Sequence, residues 1–137
     1  MFISKFSVED WQGNQNKSSV QLARNWQEIA AAINQLNGQY KTLVTLETDG
    51  ETHMAIGGGD GRYVVYLTFD NDRFYYLVDP SKSNLEETLI VGGQEGVYPS
   101  KLCIDIDTTL KAAKTFVEFG SMEKSTVWEQ DGVMEAV

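Results

Sequence analysis

Residues 41–79 read KTLVTLETDGETHMAIGGGDGRYVVYLTFDNDRFYYLVD and carry the strongest structural signal in the chain. Apolar segments alternate there with Asp-Gly pairs at 49–50 and 60–61 and with an Asp-Asn-Asp triplet at 70–72. Asp-Gly pairs favour the positive φ angles of two-residue hairpin turns. The pattern therefore predicts consecutive antiparallel strands, which are Lys41–Thr48, Thr52–Ile56, Arg62–Phe69 and Arg73–Asp79.

The strand pattern extends to both sides of this stretch. After the turn-forming residues 80–84, Leu85–Val91 is a further strand-like run, and it completes a predicted five-strand meander. Near the start of the chain, the mixed apolar run Phe2–Val8 predicts another strand. Residues 12–19 are rich in Asn, Gln and Ser and predict a loop.

Two amphipathic helices accompany the predicted strands. With Ser18 or Ser19 as the N-cap, apolar residues recur at helical spacing through Trp26, and Asn37-Gly38 stops the run. A second helix is predicted to begin near Asp107 and to end at Gly120.

The predicted fold is α+β, with an antiparallel meander sheet of about five to seven strands flanked by the two helices. Short additional strands are expected at Leu102–Asp105 and around Val127-Trp128. A chain of 137 residues with 42% apolar content suits one buried core and is too short for two ordinary domains. We therefore expect a single domain over residues 1–137.

The chain is strongly acidic, with 11 Lys and Arg against 20 Asp and Glu and a formal net charge of −9. This charge argues against direct binding of nucleic acid, because phosphates require a basic footprint. It favours a cationic partner, although acidity also serves the solubility of ordinary cytosolic proteins. No apolar run is long enough to cross a bilayer, and the charged start of the chain does not suit a signal sequence. We expect a cytoplasmic protein without membrane contact.

No pattern in the sequence predicts a catalytic, metal or cofactor site. The glycines at 57–59 and 61 lack both the Lys-Ser/Thr ending and the following helix of a phosphate loop, so a hairpin turn is expected. The single histidine, His53, and the single cysteine, Cys103, cannot form a zinc site, and the Asp-rich stretches lack calcium-loop spacing. Cys103 lies between apolar neighbours and is expected in the core, without a nucleophilic role.

The meander carries a large number of aromatic residues. Because the helices cover one face of the sheet, rings on the other face need a second cover, either the segment with Trp128 or a partner protein. Tyrosines beside acidic turns are typical of interfaces, where aromatic rings supply affinity and carboxylates steer a basic partner. The residues predicted as contacts are Asp60, Tyr66, Asp70, Asp72, Glu95 and Tyr98.

Short motifs follow one another in a distinctive order through most of the chain. They are Trp26 in the first helix, Ile56-Gly57-Gly58-Gly59, Leu89-Ile90-Val91-Gly92-Gly93-Gln94, Tyr98-Pro99, then Ala112, Phe116 and Gly120 in the second helix, and Trp128. In this order and spacing the chain resembles the Imm1 family of bacterial immunity proteins, roughly from Trp26 to Trp128. We expect the glycines of these motifs to form turns that shape the ends of the sheet.

The resemblance implies a function. Members of the family are expected beside genes of polymorphic toxins, often toxins of the nucleic-acid deaminase superfamily, and they protect the producing cell by binding the toxin domain. A toxin that acts on nucleic acid carries a cationic groove, which agrees with the charge of −9. The expected partner is a cognate toxin domain with a basic surface, and the free protein is expected to be a monomer or weak dimer.

Two other classes of function stay open at this point. One is a small-ligand or regulatory module with a pocket near His53 and Cys103. The other is an enzyme that uses scattered carboxylates, which would require two of them to converge in one cleft.

Overall fold

The computed structural model describes residues 1–130, and these form an α+β structure around an open antiparallel sheet. In chain order the elements are β1 (Lys5–Gln12), β2 (Gln15–Asn16), β3 (Ser19–Leu22), α1 (Trp26–Asn34), β4 (Lys41–Glu47), β5 (His53–Gly59), β6 (Arg62–Thr68), β7 (Phe74–Val78), β8 (Glu86–Val91), β9 (Gln94–Pro99), a 3₁₀ turn (Ser100–Leu102), α2 (Ile106–Phe119) and β10 (Val127–Gln130). The predicted fold class is confirmed.

The main sheet has eight strands in the order β10-β7-β6-β5-β4-β1-β2, with β3 pairing another part of β1. The predicted meander is confirmed for β4 to β7, whose neighbours pair antiparallel. Asp60-Gly61 forms the expected two-residue turn, whereas Asp49-Gly50 lies in a five-residue connection between β4 and β5. The sheet exceeds the predicted five to seven strands because β2 and β3 arise from residues predicted as loop and helix.

The prediction that Leu85–Val91 is the fifth strand of the meander is wrong. This segment forms β8, which pairs with β9 in a separate two-stranded sheet, the β8–β9 hairpin. The edge of β7 is occupied instead by β10, where Trp128 lies opposite Leu77. The predicted return of the chain as a strand at Trp128 is therefore confirmed, and it displaces β8 from the main sheet.

The first helix is shorter than predicted. It begins at Trp26, and its N-cap is Asn25, whose side chain accepts a hydrogen bond from the backbone N–H of Glu28 at 2.9 Å. Ser19–Leu22, predicted as the first turn of this helix, is strand β3. Val20 has helical spacing to Ala23 and strand spacing to Leu22, and backbone pairing of β3 with β1 decides for the strand.

Three smaller differences concern the limits of the first strand, the loss of one short strand and the start of the second helix. The first strand runs over Lys5–Gln12 instead of Phe2–Val8. In place of a strand at Leu102–Asp105 there is a 3₁₀ turn, followed by an isolated bridge between Ile104 and Tyr63. The second helix has Asp105 as its N-cap and ends at Gly120 in the left-handed conformation (φ 67°), which confirms the predicted stop.

The two helices cover one face of the main sheet, called the helix face. Four residues of β1, β4, β5 and β6 lie side by side in register on this face and are at most 1% exposed. Helix residues pack onto them, and burial of each large apolar side chain contributes about 1.5–3 kcal/mol. The four strand residues are Phe6, Leu46, Met54 and Leu67, and the helix residues include Ile29, Ile33, Ala113 and Phe116. Neither helix within residues 1–130 is long and apolar enough to span a membrane.

The β8–β9 hairpin covers part of the opposite face. Val91 lies directly over Gly57, where a Cβ atom would collide with the Val91 side chain. At the hairpin tip, Gly93 lies against the ring of Trp11, and its backbone N–H donates to Thr42 Oγ1 at 2.9 Å. These contacts are made by side chains and a few backbone groups, not by a ladder of paired strands.

Candidate interaction surface

The uncovered part of this second face, called the open face, is the candidate functional surface. The alternation of side chains along each strand places two rows of residues there, read across the sheet from β3. The first row is Val20, Ser7, Thr45, Ala55, Tyr66, Tyr76 and Glu129, and the second row is Leu22, Lys5, Glu47, His53, Thr68 and Phe74.

An aromatic cluster lies at the β5–β7 side of the open face. The ring of Tyr66 is at its centre, with centroids 5.4 Å from Phe74, 5.7 Å from His53 and 5.9 Å from Tyr76. We call these four residues the Tyr66 cluster. All four are partly exposed, and partial burial raises the pKa of the Tyr66 hydroxyl. Aromatic pairs at these distances contribute about 0.5–1.5 kcal/mol each beyond the area they bury, so the cluster holds its shape without a partner.

Hydrogen bonds define the tautomer of His53 and the position of the Tyr66 hydroxyl. Nδ1 of His53 is 2.9 Å from the carbonyl oxygen of Glu51, and Nε2 is 3.3 Å from the hydroxyl oxygen of Tyr66. A carbonyl oxygen only accepts hydrogen bonds, so Nδ1 carries a proton. In the neutral ring Nε2 is then the acceptor, and the Tyr66 hydroxyl donates to it.

Acidic residues border one end of the open face. The β4–β5 and β6–β7 turns lie side by side there, joined by a hydrogen bond from Thr52 Oγ1 to the Phe69 carbonyl oxygen at 2.8 Å. We call their carboxylates the acidic rim, and none of them forms an ion pair within residues 1–130. The members of the rim are Asp49, Glu51, Asp70 and Asp72.

Asp70 in the rim is held ionised by its own turn. Its carboxylate accepts the backbone N–H groups of Asp72 at 3.0 Å and Arg73 at 2.9 Å. These two hydrogen bonds, with that from Arg73 the larger cause, lower the pKa of Asp70. Because the carboxylate is exposed, it presents its charge directly to solvent.

Three carboxylates lie on the strands of this face, with Glu9 at its edge beside the hairpin tip, and two of the three have hydrogen-bond or ion-pair partners. Glu9 Oε1 accepts from Trp11 Nε1 at 3.0 Å and from Asn16 Nδ2 at 3.2 Å. Glu129 Oε1 is 3.1 Å from Lys101 Nζ. Glu47 has no side-chain partner among residues 1–130.

The structure divides the six predicted contact residues among three places. Tyr66, Asp70 and Asp72 lie together at the rim end of the sheet. Asp60 and Glu95 line a cavity of about 250 Å³ at the opposite end, beyond the seven residues of β6, or roughly 20 Å away.

Tyr98, the sixth predicted contact, lies in β9 on the side of the hairpin that packs against the main sheet. It packs with Val64, Leu89 and Cys103, and partial burial raises its pKa. The six residues therefore do not form one continuous site, and their role as contacts stays a prediction.

The motif residues have the positions expected of structural residues. Gly92 and Gly93 form the hairpin tip, as predicted for turns, and they are followed by Gln94 and closed by Pro99 in β9. Trp26 begins α1, and Trp128 lies in β10, where its Nε1–H donates to the Glu123 carbonyl oxygen at 3.3 Å.

The prediction of a turn at Gly57 and Gly58 is wrong. Both residues belong to β5, which continues through Gly59 and pairs with Arg62–Val64 of β6. The turn begins only at Asp60. Glycine is required within the strand because Val91 packs where a side chain at position 57 would lie.

His53 and Cys103, proposed above to border a ligand pocket, are separated in the structure. His53 is on the open face, whereas Cys103 is fully buried, and burial raises the pKa of its thiol. Among residues 1–130, neither residue lines any of three cavities of about 250, 310 and 500 Å³. In the same part of the chain, no group of three or more His, Cys, Asp or Glu is placed to hold a metal ion.

Partly exposed aromatic rings beside unpaired carboxylates are typical of a surface that binds another protein. The chain matches the family model of immunity protein Imm1 over residues 18–130. It therefore belongs to the Imm1 immunity protein family, which confirms the resemblance inferred from the motif order and supports an immunity role. No curated protein and no solved structure matches the chain.

Glu47 was not among the residues predicted as contacts, and neither were the other three members of the Tyr66 cluster, His53, Phe74 and Tyr76. A signal for Glu47 was present, because strict alternation in β4 buries Thr42, Val44 and Leu46 and turns the residue after them to the other side. Its pairing with His53 depends on register, which the sequence did not define.

Proposed function

We propose that this protein is a cytoplasmic, non-catalytic inhibitor that neutralises a cognate toxin domain by binding it through the open face. Family membership supports the role of an immunity protein that binds a toxin. The observation that supports this surface is the Tyr66 cluster, which lies uncovered beside the acidic rim. The helix face offers no comparable surface, since α1 and α2 pack on it.

The dimensions of the open face fit a protein partner. From β3 to β7 the sheet spans six strands, or about 24 Å at roughly 4.8 Å per strand. The β8–β9 hairpin covers one end of this face, at Gly57 and Val64, and the acidic rim lies at the other end. An interface of standard size, with about 800 Å² buried on each partner, requires a surface of this width.

The negative charge of this protein favours a toxin that acts on nucleic acid, either a deaminase or a nuclease. Such a toxin carries a basic groove for phosphates, and the carboxylates of this protein would occupy that groove in their place. The net charge of −9 accelerates the encounter, while the aromatic rings limit dissociation. The inhibitor requires no catalytic group for this mechanism.

The test is co-expression with the toxin domain encoded by the neighbouring gene. We expect survival of the cells and, with a catalytically inactive toxin variant, a stable one-to-one complex on size-exclusion chromatography. Amide hydrogen exchange on that complex should show new protection in β5, β6 and β7 and little change in α2. Cells that die equally with and without this protein would contradict the proposal, and protection confined to the helices would contradict the choice of surface.

A further inference from the structure

We infer that the open face receives one arginine side chain of the toxin, with the guanidinium against the Tyr66 ring and hydrogen-bonded to the Glu47 carboxylate. This inference rests on the proposed function and names the chemical group that the open face recognises. Two independent observations support it. The first is the arrangement of the Tyr66 cluster, and the second is that the Glu47 carboxylate has no hydrogen-bond or ion-pair partner among residues 1–130.

The Tyr66 cluster has the composition of a cation site. Phe74 and His53 meet the Tyr66 ring edge-on at interplanar angles of 75° and 77°, and Tyr76 is tilted by 49°. All four side chains are partly exposed, so part of this aromatic surface is accessible to a partner. A cation within about 6 Å of such a ring is attracted by the ring quadrupole, and the attraction grows as water is removed by the partner.

Glu47 supplies the negative charge for this cation. It lies opposite His53 in register, so the Cβ atoms of the two residues are about 5 Å apart on the same face. Glu9 and Glu129, the other carboxylates of the open face, already have partners. On its other side Glu47 lies opposite Lys5, but the two charged groups are not within ion-pair distance.

Arginine fits this pair of groups better than lysine. The guanidinium is planar, so it stacks on a tyrosine ring while its edge donates N–H groups to a carboxylate. It is also less strongly hydrated than an ammonium group and therefore loses less hydration free energy on contact with a partly apolar surface. A toxin that contacts phosphates with arginine would present this group to the open face.

The first test uses the free protein and a small probe. N-acetyl-arginine methylamide is titrated into the isotopically labelled protein while the ring resonances of tyrosine and phenylalanine are followed by NMR. We expect saturable shifts at Tyr66, Phe74 and Tyr76 and none at Tyr40, which is exposed elsewhere. N-acetyl-citrulline methylamide, of nearly the same shape but neutral, should shift none of them. Equal shifts with both probes, or unsaturable shifts across all acidic regions, would overturn the inference.

The second test uses the toxin complex and matched variants. Tyr66→Leu and Glu47→Gln should each weaken binding about tenfold to thirtyfold, and the double variant should lose less than the product of the two effects, because both contact the same group. Tyr66→Phe keeps the ring and should stay within about threefold of the wild type. Glu28→Gln, a carboxylate on α1, is the control and should bind like the wild type.

The outcomes separate this inference from the proposed function. A wild-type protein that fails to bind or protect contradicts the proposed function, while the probe titration still decides whether the arginine site exists. A wild type that protects, together with Tyr66→Leu and Glu47→Gln variants of unchanged affinity, overturns the inference alone. Thermal unfolding of each variant shows whether it folds, and if Tyr66→Leu does not fold, the affinity of Glu47→Gln decides the test.

Discussion

The helix face and the open face are built from alternate residues of the same strands, yet they differ in almost every physical property. The helix face carries large aliphatic and aromatic side chains that are nearly inaccessible to solvent. The open face carries Ser7, Thr45 and Ala55 at its centre and partly exposed aromatic rings at its side. One set of strands therefore carries the buried core on one face and the proposed contact groups on the other.

Removing an aromatic ring from the helix face should destabilise the protein more than any change on the open face. Phe116→Ala deletes a side chain that is fully buried between α2 and the sheet, and it should lower the free energy of unfolding by about 3–5 kcal/mol. The control is Phe119→Ala on the same helix, where the ring is 71% exposed and a change within about 0.5 kcal/mol is expected. Urea denaturation measures both, and equal losses would contradict the assignment of the core.

The next prediction concerns the partial cover of the open face. Gly57→Ala places a Cβ atom against Val91 and should destabilise the protein by about 1–3 kcal/mol, because the β8–β9 hairpin must shift. Adding Val91→Ala should recover part of this loss, which a double-mutant cycle measures. Gly50→Ala, where no atom lies within 4 Å of the new Cβ, is the control. A loss that Val91→Ala does not relieve would show that strain arises elsewhere.

A smaller effect is expected when the acidic rim is reversed in charge. The double variant Glu51→Lys, Asp72→Lys should slow association with the toxin about tenfold at low ionic strength and change dissociation little. The difference from the wild type should shrink as salt is added, because exposed charges are screened. Glu118→Lys on α2 is the control, and stopped-flow mixing gives the rates. A change mainly in the dissociation rate would mean that these carboxylates are buried contacts.

The smallest effect concerns a carboxylate outside both faces. Ser125, as the largest cause, and Thr115 donate hydrogen bonds to Glu123 and lower its pKa to about 2. A lowered folded-state pKa stabilises the protein above the unfolded value of 4.5, and this contribution is lost as pH falls toward 2. Glu123→Gln should therefore flatten the decline of the urea midpoint between pH 4.5 and pH 2. An identical decline in both proteins would assign it to other carboxylates.

Local patterns in the sequence were sufficient to predict four strands of the meander, β4 to β7, and both helices, except for the start of α1. Alternation in β4 and β6, the turn at Asp60-Gly61 and the stop at Gly120 are properties of a few consecutive residues. Such signals do not depend on distant parts of the chain. They also led to the α+β class and to the tyrosine at the centre of the candidate surface.

What the sequence did not reveal depends on contacts between distant segments. Ser19–Leu22 satisfies the spacing of either a helix or a strand, and pairing with β1 decides between them. Leu85–Val91 has the pattern of a strand, but nothing local shows that β10 takes its place beside β7. Glu47 and His53 are neighbours because of the register between β4 and β5, and the register of a pair depends on both strands together.

The β8–β9 hairpin is attached to the main sheet without a backbone ladder, and this has a consequence for how the protein can change over generations. Substitutions in the hairpin leave the hydrogen bonds of the main sheet intact, as long as the close contacts at Gly57 and Gly93 are kept. The hairpin can therefore lengthen, tilt or alter its charge while the domain still folds. Its exposed positions are free to track an evolving toxin, while Gly57 beneath it, Gly93 at its tip and the buried Leu89 stay fixed.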